Sequence, residues 1–185
     1  MGRHLLFPVF KLPRPLTIAD MQLPPDYISW LHHLGFDEIS FGCGGVKLFT
    51  IEELDEHQIG YSRSAEGKSL CDGKPGSWRP EWIVIGHDTA MGDPIILDTS
   101  SRWPSQGLRV MTAMHGEGAW DPKVIADSLH GFADALRALK EASVGREYPV
   151  ALEQNPLSEK ERERVVERFR KAIGEGDMEF WKAIF

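Results

Sequence analysis

The chain has 185 residues and a formal net charge of −7, with 42% hydrophobic and 26% charged residues. This length favours one domain with additions over two full domains, and the composition is typical of a globular protein with a real core. The acidic balance argues against non-specific binding to nucleic acid or to an anionic membrane, and the sequence contains no apolar run of the roughly 20 residues that a membrane span needs.

The chain begins with a proline-rich arm, residues 1–22, for which we expect irregular structure on the domain surface. This arm lacks the pattern of a signal peptide. The two cysteines, Cys43 and Cys71, are not closely spaced, which is typical of reduced thiols and predicts a cytoplasmic protein. Because Cys43 lies in a tight glycine turn, we expect its thiol to be buried.

A first helix is predicted after Leu23, with Pro25 at its first position and Gly35 at its end. The glycine-rich turn 42–45 then leads into a short strand, Val46 to Ile51, and a helical turn around Glu52. A polar, glycine-rich surface loop follows over Ser62–Ser77.

The stretch from Trp82 to Ser100 predicts a hairpin of two strands that are apolar on both faces. Its connection, His87 to Asp93, contains Gly92, which can adopt a positive φ. A third strand is predicted from Leu108 to about His115, because apolar and polar residues alternate there.

Asp121 and Pro122 are typical of a helix start, and the apolar residues from Ile125 to Leu139 keep helical spacing. We therefore predict one amphipathic helix that ends between Ala142 and Gly145. Ser158 and Glu161 predict a capping box at the start of a further helix, and Asp177 is expected to cap a last one. Strands joined by short turns, with helices around them, indicate an α+β fold with a mainly antiparallel sheet.

These segments together resemble the SMI1/KNR4 family of the SUKH superfamily. The resemblance covers about residues 23–140, and the tail is similar to a C-terminal extension of some members. The segments that carry it are Leu23–Tyr27, Gly44–Phe49 before Glu52–Leu54, Trp82–Asp88 with Gly92–Asp93, and Ile125–Leu129 through Phe132 and Leu136. We therefore divide the chain into the arm 1–22, a domain 23–148 and a helical appendage 149–185.

The resemblance implies a non-enzymatic role, and we expect no cofactor. Bacterial members are commonly immunity proteins that bind and neutralise a toxin, and fungal members are regulatory interaction proteins. The chain departs from the family pattern in its arm and in the loop Ser62–Ser77. Since related binding proteins vary most in such exposed segments, the partner stays open.

Polar residues in the hairpin connection permit three interpretations: a turn, a binding edge or a reaction site. Aspartate side chains commonly bond the amides of their own loop, which favours the turn. Imidazole and carboxylate groups also bind metals, so a metal-dependent hydrolase using His87, Asp88, Asp93 and His115 is the alternative.

Tryptophan is frequent in binding hot spots. We predict that Trp82 is a core residue, whereas Trp78, Trp103 and Trp120 lie in loops where partial exposure is expected. The sequence thus predicts a protein-binding surface formed by residues of the hairpin connection and these loop tryptophans. Its members are Trp78, His87, Asp88, Asp93, Trp103 and Trp120.

Overall fold

The structure is a computed structural model that describes residues 23–100, 107–116 and 118–184. Within these residues, six strands form one antiparallel sheet in which every strand pairs with the next along the chain. The strands are β1 Glu38–Phe41, β2 Gly44–Leu48, β3 Trp82–Asp88, β4 Pro94–Asp98, β5 Arg109–Thr112 and β6 Lys123–Ala126. The helices are α1 Pro25–Leu34, α2 Leu129–Ser143, α3 Pro149–Gln154, α4 Glu159–Ile173 and α5 Met178–Ala183, with a 3₁₀ turn at Glu56–Gln58. The α+β fold with an antiparallel sheet is therefore confirmed.

The predicted hairpin forms the centre of the sheet as β3 and β4. All residues of β4 are buried, and His87 is the one position of β3 that is not. The register between the two strands shifts at Gly86, and a Cβ there would overlap the backbone of Lys47 in β2. Glycine at this position therefore allows β2 and β3 to approach closely.

Beyond Leu48, a side chain continues the hydrogen bonding that β2 provides to β3. The buried amide of Gln58 accepts a bond from the backbone N–H of Val84 (3.0 Å) and donates to the carbonyl of the same residue (2.9 Å). It also donates to the carbonyl of Leu54 (2.8 Å). Gln58 thus satisfies strand groups that would otherwise be buried without partners.

Helix α2 packs against α1 and α4 and contacts β1, β5 and β6. Its apolar residues Phe132, Leu136 and Leu139 are fully buried. A Cβ on Gly131 would overlap the carbonyl oxygen of Ala172, so the glycine lets α2 and α4 come into backbone contact. The sheet, α2 and α4 therefore share one core.

The predicted helix start at Asp121 and Pro122 is wrong. Residues Lys123–Ala126 form β6, and α2 begins only at Leu129, after Ser128, whose side chain accepts a hydrogen bond from the N–H of Gly131 (3.1 Å). Val124 and Ile125 are β-branched residues that fit an edge strand next to β5. The helical spacing that continues back to Ile125 did not indicate Ser128 as the N-cap of α2. The end of α2 at Ser143 agrees with the prediction.

Two further elements were not predicted, namely β1 and α3, and β2 begins at Gly44 rather than at Val46. The expectation of a buried thiol at Cys43 is also wrong. Cys43 is exposed, because it lies in the two-residue turn between β1 and β2. The arm 1–22 lies outside the described residues.

The C-terminal helices contribute to the same core. The capping box of Ser158 and Glu161 is confirmed, and the side chain of Asp177 caps α5. Trp181 is fully buried between Phe132 and Phe169, and its indole N–H donates to the carbonyl of Ile125 (2.8 Å).

Candidate functional site

The β3–β4 connection is organised by the carboxylate of Asp88, the last residue of β3. One oxygen accepts hydrogen bonds from the backbone N–H groups of Ala90 (3.0 Å) and Met91 (2.7 Å), and the other accepts from Asp93 (2.7 Å). Gly92 adopts a φ of 77°. The predicted turn, with a positive φ at Gly92 and an aspartate bonding its own loop, is confirmed.

Asp93 fixes this connection to the end of β5. Its carboxylate accepts the backbone N–H of His115 at 3.0 Å and lies 2.6 Å from Nδ1 of the same residue. The contact arises because β5 pairs with β4, which brings the residues after Thr112 level with the loop. The structure therefore joins two of the four residues that the hydrolase alternative requires.

His87 lies on the other side of Asp88, next to a small cavity of about 210 Å³. Its ring is 5.5 Å from that of Phe49, and the ring of His57 stacks flat on Phe49 at a centroid distance of 3.5 Å. Desolvation lowers the pKa of His87, and this effect outweighs the adjacent carboxylate of Asp88, which raises it. The imidazole of His87 is therefore biased toward its neutral form.

The described residues contain no group of three or more His, Cys, Asp or Glu side chains placed to hold one metal ion. Both carboxylate oxygens of Asp88 already accept backbone hydrogen bonds, and the side chain is 8% exposed. The role that the geometry gives Asp88 is to hold the loop in shape.

Three tryptophans form an aromatic cluster at the opposite end of β3. The ring of Trp78 contacts those of Trp82 (5.5 Å), Trp120 (5.1 Å) and Tyr61 (5.0 Å). Trp82 is buried, as predicted, and Trp120 is partly exposed, as expected. The expected exposure of Trp78 is wrong: only 2% of it is accessible, because its indole N–H donates to the carbonyl of Trp82 and the other rings enclose it.

Beside this cluster lies a cavity of about 810 Å³, whose walls include Trp78, Trp82, Trp120, Met111 and Asp98. Trp120 therefore faces a concave surface, which its loop position alone did not indicate. Trp103, the remaining residue of the predicted binding surface, lies outside the described residues.

Sequence reasoning missed two methionines beside the Asp93–His115 contact. Met91 is 69% exposed and Met114 is 62% exposed. Met91 belongs to the loop that Asp88 holds, and Met114 directly precedes His115. We call Met91, Asp93, Met114 and His115 the tip surface. The exposure of Met91 could have been predicted, because it is an apolar residue in an otherwise polar turn. The exposure of Met114 could not, because Met114 fits the alternating pattern of the third predicted strand.

Within the described part of the chain, no helix combines the length and the apolarity needed to cross a membrane. The model of the SMI1/KNR4 family (SUKH-1) matches residues 18–135, which is more than half of the sequence. No curated protein and no solved structure matches the chain.

Proposed function

Because the chain belongs to the SMI1/KNR4 family (SUKH-1), we propose that it is a non-enzymatic protein-binding module of immunity type. It binds a bacterial toxin in the cytoplasm and neutralises it by covering the surface that the toxin needs for its activity. We also propose the division into an arm (1–22), a domain (23–148) and a helical appendage (149–185), since most of the arm and all of residues 149–185 lie outside the family match.

The observation that carries the binding proposal is the tip surface. Met91 and Met114 expose large apolar side chains on two loops that the contact between Asp93 and His115 joins, and neighbouring exposed apolar side chains mark candidate interaction sites. Methionine adapts its shape to a partner because its side chain is unbranched and polarisable. Burial of these two side chains against the toxin would supply apolar contact at the centre of an interface.

Hydrogen bonding prepares the tip surface for binding. Asp88 holds three loop amides, and Asp93 holds His115 through both its backbone and its ring. A loop that already has its bound shape loses less conformational entropy when a partner binds. In this proposal Asp88 positions the surface, whereas Asp93 and His115 lie on it.

The other residues of the predicted surface have different roles in the proposal. His87 lies beside the loop and supports it from the side of Phe49. Trp120, together with the cavity it lines, offers a second contact region, which Trp78 supports from beneath. Trp103 stays a proposed contact residue. The net charge of −7 would steer a basic toxin toward the protein and accelerate association at low salt.

Co-expression with the toxin encoded by the neighbouring reading frame tests the proposal. The native chain should rescue growth and should co-purify with the toxin. Met91→Asp and Met114→Asp should weaken both effects, since a charge at an apolar contact leaves an unpaired buried group. Val150→Asp is the matched control, because Val150 is as exposed as Met114 (62%) but lies in α3.

Failure of the native chain to protect or to bind any adjacent toxin would contradict the immunity role. Binding of a non-toxic cellular protein through the same surface would instead favour a general regulatory scaffold. Binding that tolerates both methionine substitutions would locate the interface elsewhere.

The contact between Asp93 and His115 makes the hydrolase alternative testable as well. Metal analysis of the purified protein would favour it if a stoichiometric metal were found and were lost in Asp93→Ala and His115→Ala. A folded, metal-free protein that neutralises toxin would support the binding role.

A further inference from the structure

A cavity of about 400 Å³ lies at the C-terminal end of α1, between this helix and the segment that follows β2. We call it the α1 cavity, and its apolar walls are formed by Leu31, Phe36, Phe49 and Ile51. Phe49 belongs to the core, whereas Leu31, Phe36 and Ile51 are only partly buried, so apolar surface at the cavity remains open to contact. Its volume is within the range of about 300–1,000 Å³ that is usual for binding cavities.

The polar part of the α1 cavity is negatively charged. Asp37 and Glu52 line it, both are exposed, and neither carboxylate has a hydrogen bond or an ion pair with another described residue. His32 and Gly35, at the end of α1, also line it, and the last turn of a helix carries partial negative charge on its carbonyl groups. Lysine and arginine are absent from the described residues of its walls. The cavity therefore combines apolar surface with a requirement for positive charge.

Backbone hydrogen bonds hold both carboxylate-bearing segments in place. The carbonyl of Asp37 accepts the N–H of Leu48 at the end of β2 (2.6 Å). Glu52 lies inside a turn in which the N–H of Thr50 donates to the carboxylate of Glu53 (2.9 Å). The N–H of Glu53 in turn donates to the carbonyl of Thr50 (3.1 Å). Because the walls already have a defined shape, binding there costs little conformational entropy.

The ring of Phe36 already attracts a cation from within the chain. The ammonium group of Lys140, in α2, lies 4.1 Å from the centre of that ring. Such a contact is favourable because the face of an aromatic ring is electron-rich. Lys140 does not line the cavity, so the cavity is not filled by the chain's own ammonium group.

The α1 cavity is connected to the tip surface through Phe49. This side chain also lines the small cavity beside His87, and Gly92 of the β3–β4 connection lines that same small cavity. Both regions therefore lie on neighbouring parts of the surface, and one partner protein can contact both of them.

We propose that the α1 cavity receives a lysine or arginine side chain of the partner protein. These side chains have an apolar methylene stem and a charged end, so the stem packs against Phe36 and Ile51 while the charge lies at Asp37 and Glu52. This inference rests on the proposed protein-binding function and adds the chemistry of one partner residue. It agrees with the net charge of −7, which favours a basic partner.

NMR titration of the ¹⁵N-labelled full chain tests the proposal. The probe is the peptide acetyl-Leu-Lys-Leu-amide, and the same peptide with norleucine in place of lysine keeps the stem but lacks the charge. Butylamine supplies the lysine side chain without the peptide. The backbone amide signals of Gly35 and Ile51 report on the α1 cavity, and that of Met91 reports on the tip surface.

The lysine peptide should shift the signals of Gly35 and Ile51 and leave that of Met91 unchanged. It should bind at least about threefold more tightly than the norleucine peptide, a modest factor because the two carboxylates are exposed to water. Butylamine should bind more weakly than the lysine peptide, since it lacks the apolar contacts of the neighbouring residues.

Substitutions that remove charge and keep size identify the carboxylates. Asp37→Asn and Glu52→Gln should each reduce the preference for lysine over norleucine, and the double variant should abolish it. Glu153→Gln is the matched control, because Glu153 is an exposed carboxylate of α3 that does not line the cavity. This control should keep the full preference.

Equal binding of the lysine and norleucine peptides, or a preference that the double variant keeps, would overturn the proposal. Butylamine that binds as tightly as the lysine peptide would also overturn it, because the cavity would then be a site for a free amine. Shifts of the Gly35 signal that grow with protein concentration in the absence of peptide would identify a second copy as the occupant and would equally refute it.

Toxin binding separates this proposal from the proposed function. Binding of the lysine peptide without binding of any adjacent toxin would contradict the immunity role but support the chemistry of the cavity. Equal affinity of the toxin for the native chain and for the Asp37→Asn, Glu52→Gln double variant would support toxin binding but overturn the proposed contact.

Discussion

Replacing Asp88 is expected to destabilise the protein through the loop that the carboxylate holds. Asp88→Ala removes the acceptor of three backbone hydrogen bonds, whereas Asp88→Asn keeps a single acceptor oxygen. Asparagine can still bond Ala90 and Met91 through that oxygen. Its amide nitrogen, however, would face the N–H of Asp93, and two donors cannot pair.

The magnitude follows from the number and the exposure of these bonds. A hydrogen bond to a charged group contributes about 1.5–3 kcal/mol, so three bonds set an upper limit of about 5–9 kcal/mol. Ala90 and Met91 are exposed, and water can replace the carboxylate at their amides, whereas Asp93 is half-buried. We therefore expect a loss of about 2–4 kcal/mol for Asp88→Ala and about 1–2 kcal/mol for Asp88→Asn.

Urea unfolding followed by tryptophan fluorescence measures these free energies. Asp72→Ala is the matched control, since Asp72 also bonds an amide of its own loop, that of Lys74, but is exposed. This control should lower the free energy of unfolding far less than Asp88→Ala does, because water replaces an exposed carboxylate. A free energy of unfolding for Asp88→Ala within about 0.5 kcal/mol of the native value, as is usual for surface substitutions, would refute the assigned role of the carboxylate.

Three further substitutions test other parts of the structure. Gln58→Met should lower the free energy of unfolding by about 2–5 kcal/mol, because the N–H and carbonyl groups of Val84 lose their buried partner. Urea unfolding measures this loss, and a loss below about 1 kcal/mol would show that the partner is dispensable. Gly131→Ala should lower the melting temperature, because the new Cβ overlaps the carbonyl of Ala172 and such overpacking costs about 1–3 kcal/mol. This cost exceeds the gain from the better helix propensity of alanine. An unchanged or higher melting temperature would contradict the close contact. The pKa of His87 is lower in the folded state, so the unfolded chain binds more protons, and stability should fall as the pH drops below the ordinary histidine pKa of about 6.5. His87→Gln should reduce this pH dependence between pH 7.5 and pH 5, and an equal dependence in both proteins would contradict the assignment.

The boundaries of β6 show where local patterns mislead. Ile125 fits the helical spacing of Leu129, Phe132 and Leu136, and Asp121-Pro122 is a common helix start. However, β5 offers an edge, and residues 123–126 pair with it. Two β-branched residues next to an open strand edge are more stable in a strand than in a helix, because they pair with that edge. Helical spacing over so few residues does not show that a strand competes with the helix.

The candidate site was predicted only in part, for a similar reason. Asp88 and Gly92 act within a few residues of their own position, so their roles could be inferred from the sequence. The contact between Asp93 and His115 joins residues 22 positions apart and depends on strand pairing. Likewise, Trp78 is buried because three other rings surround it, which its loop position did not indicate.

The sequence by itself determined the features that depend on neighbouring residues: the Trp82–Asp98 hairpin, the α1 ends at Pro25 and Gly35, and the capping box of α4. Its apolar pattern also determined the α+β class and the family resemblance. Only the tertiary structure decided which side chains are exposed and which meet across the sheet. Exposure of Met91 and Met114, and burial of Trp78, depend on what distant segments cover them, and a linear pattern does not contain that information.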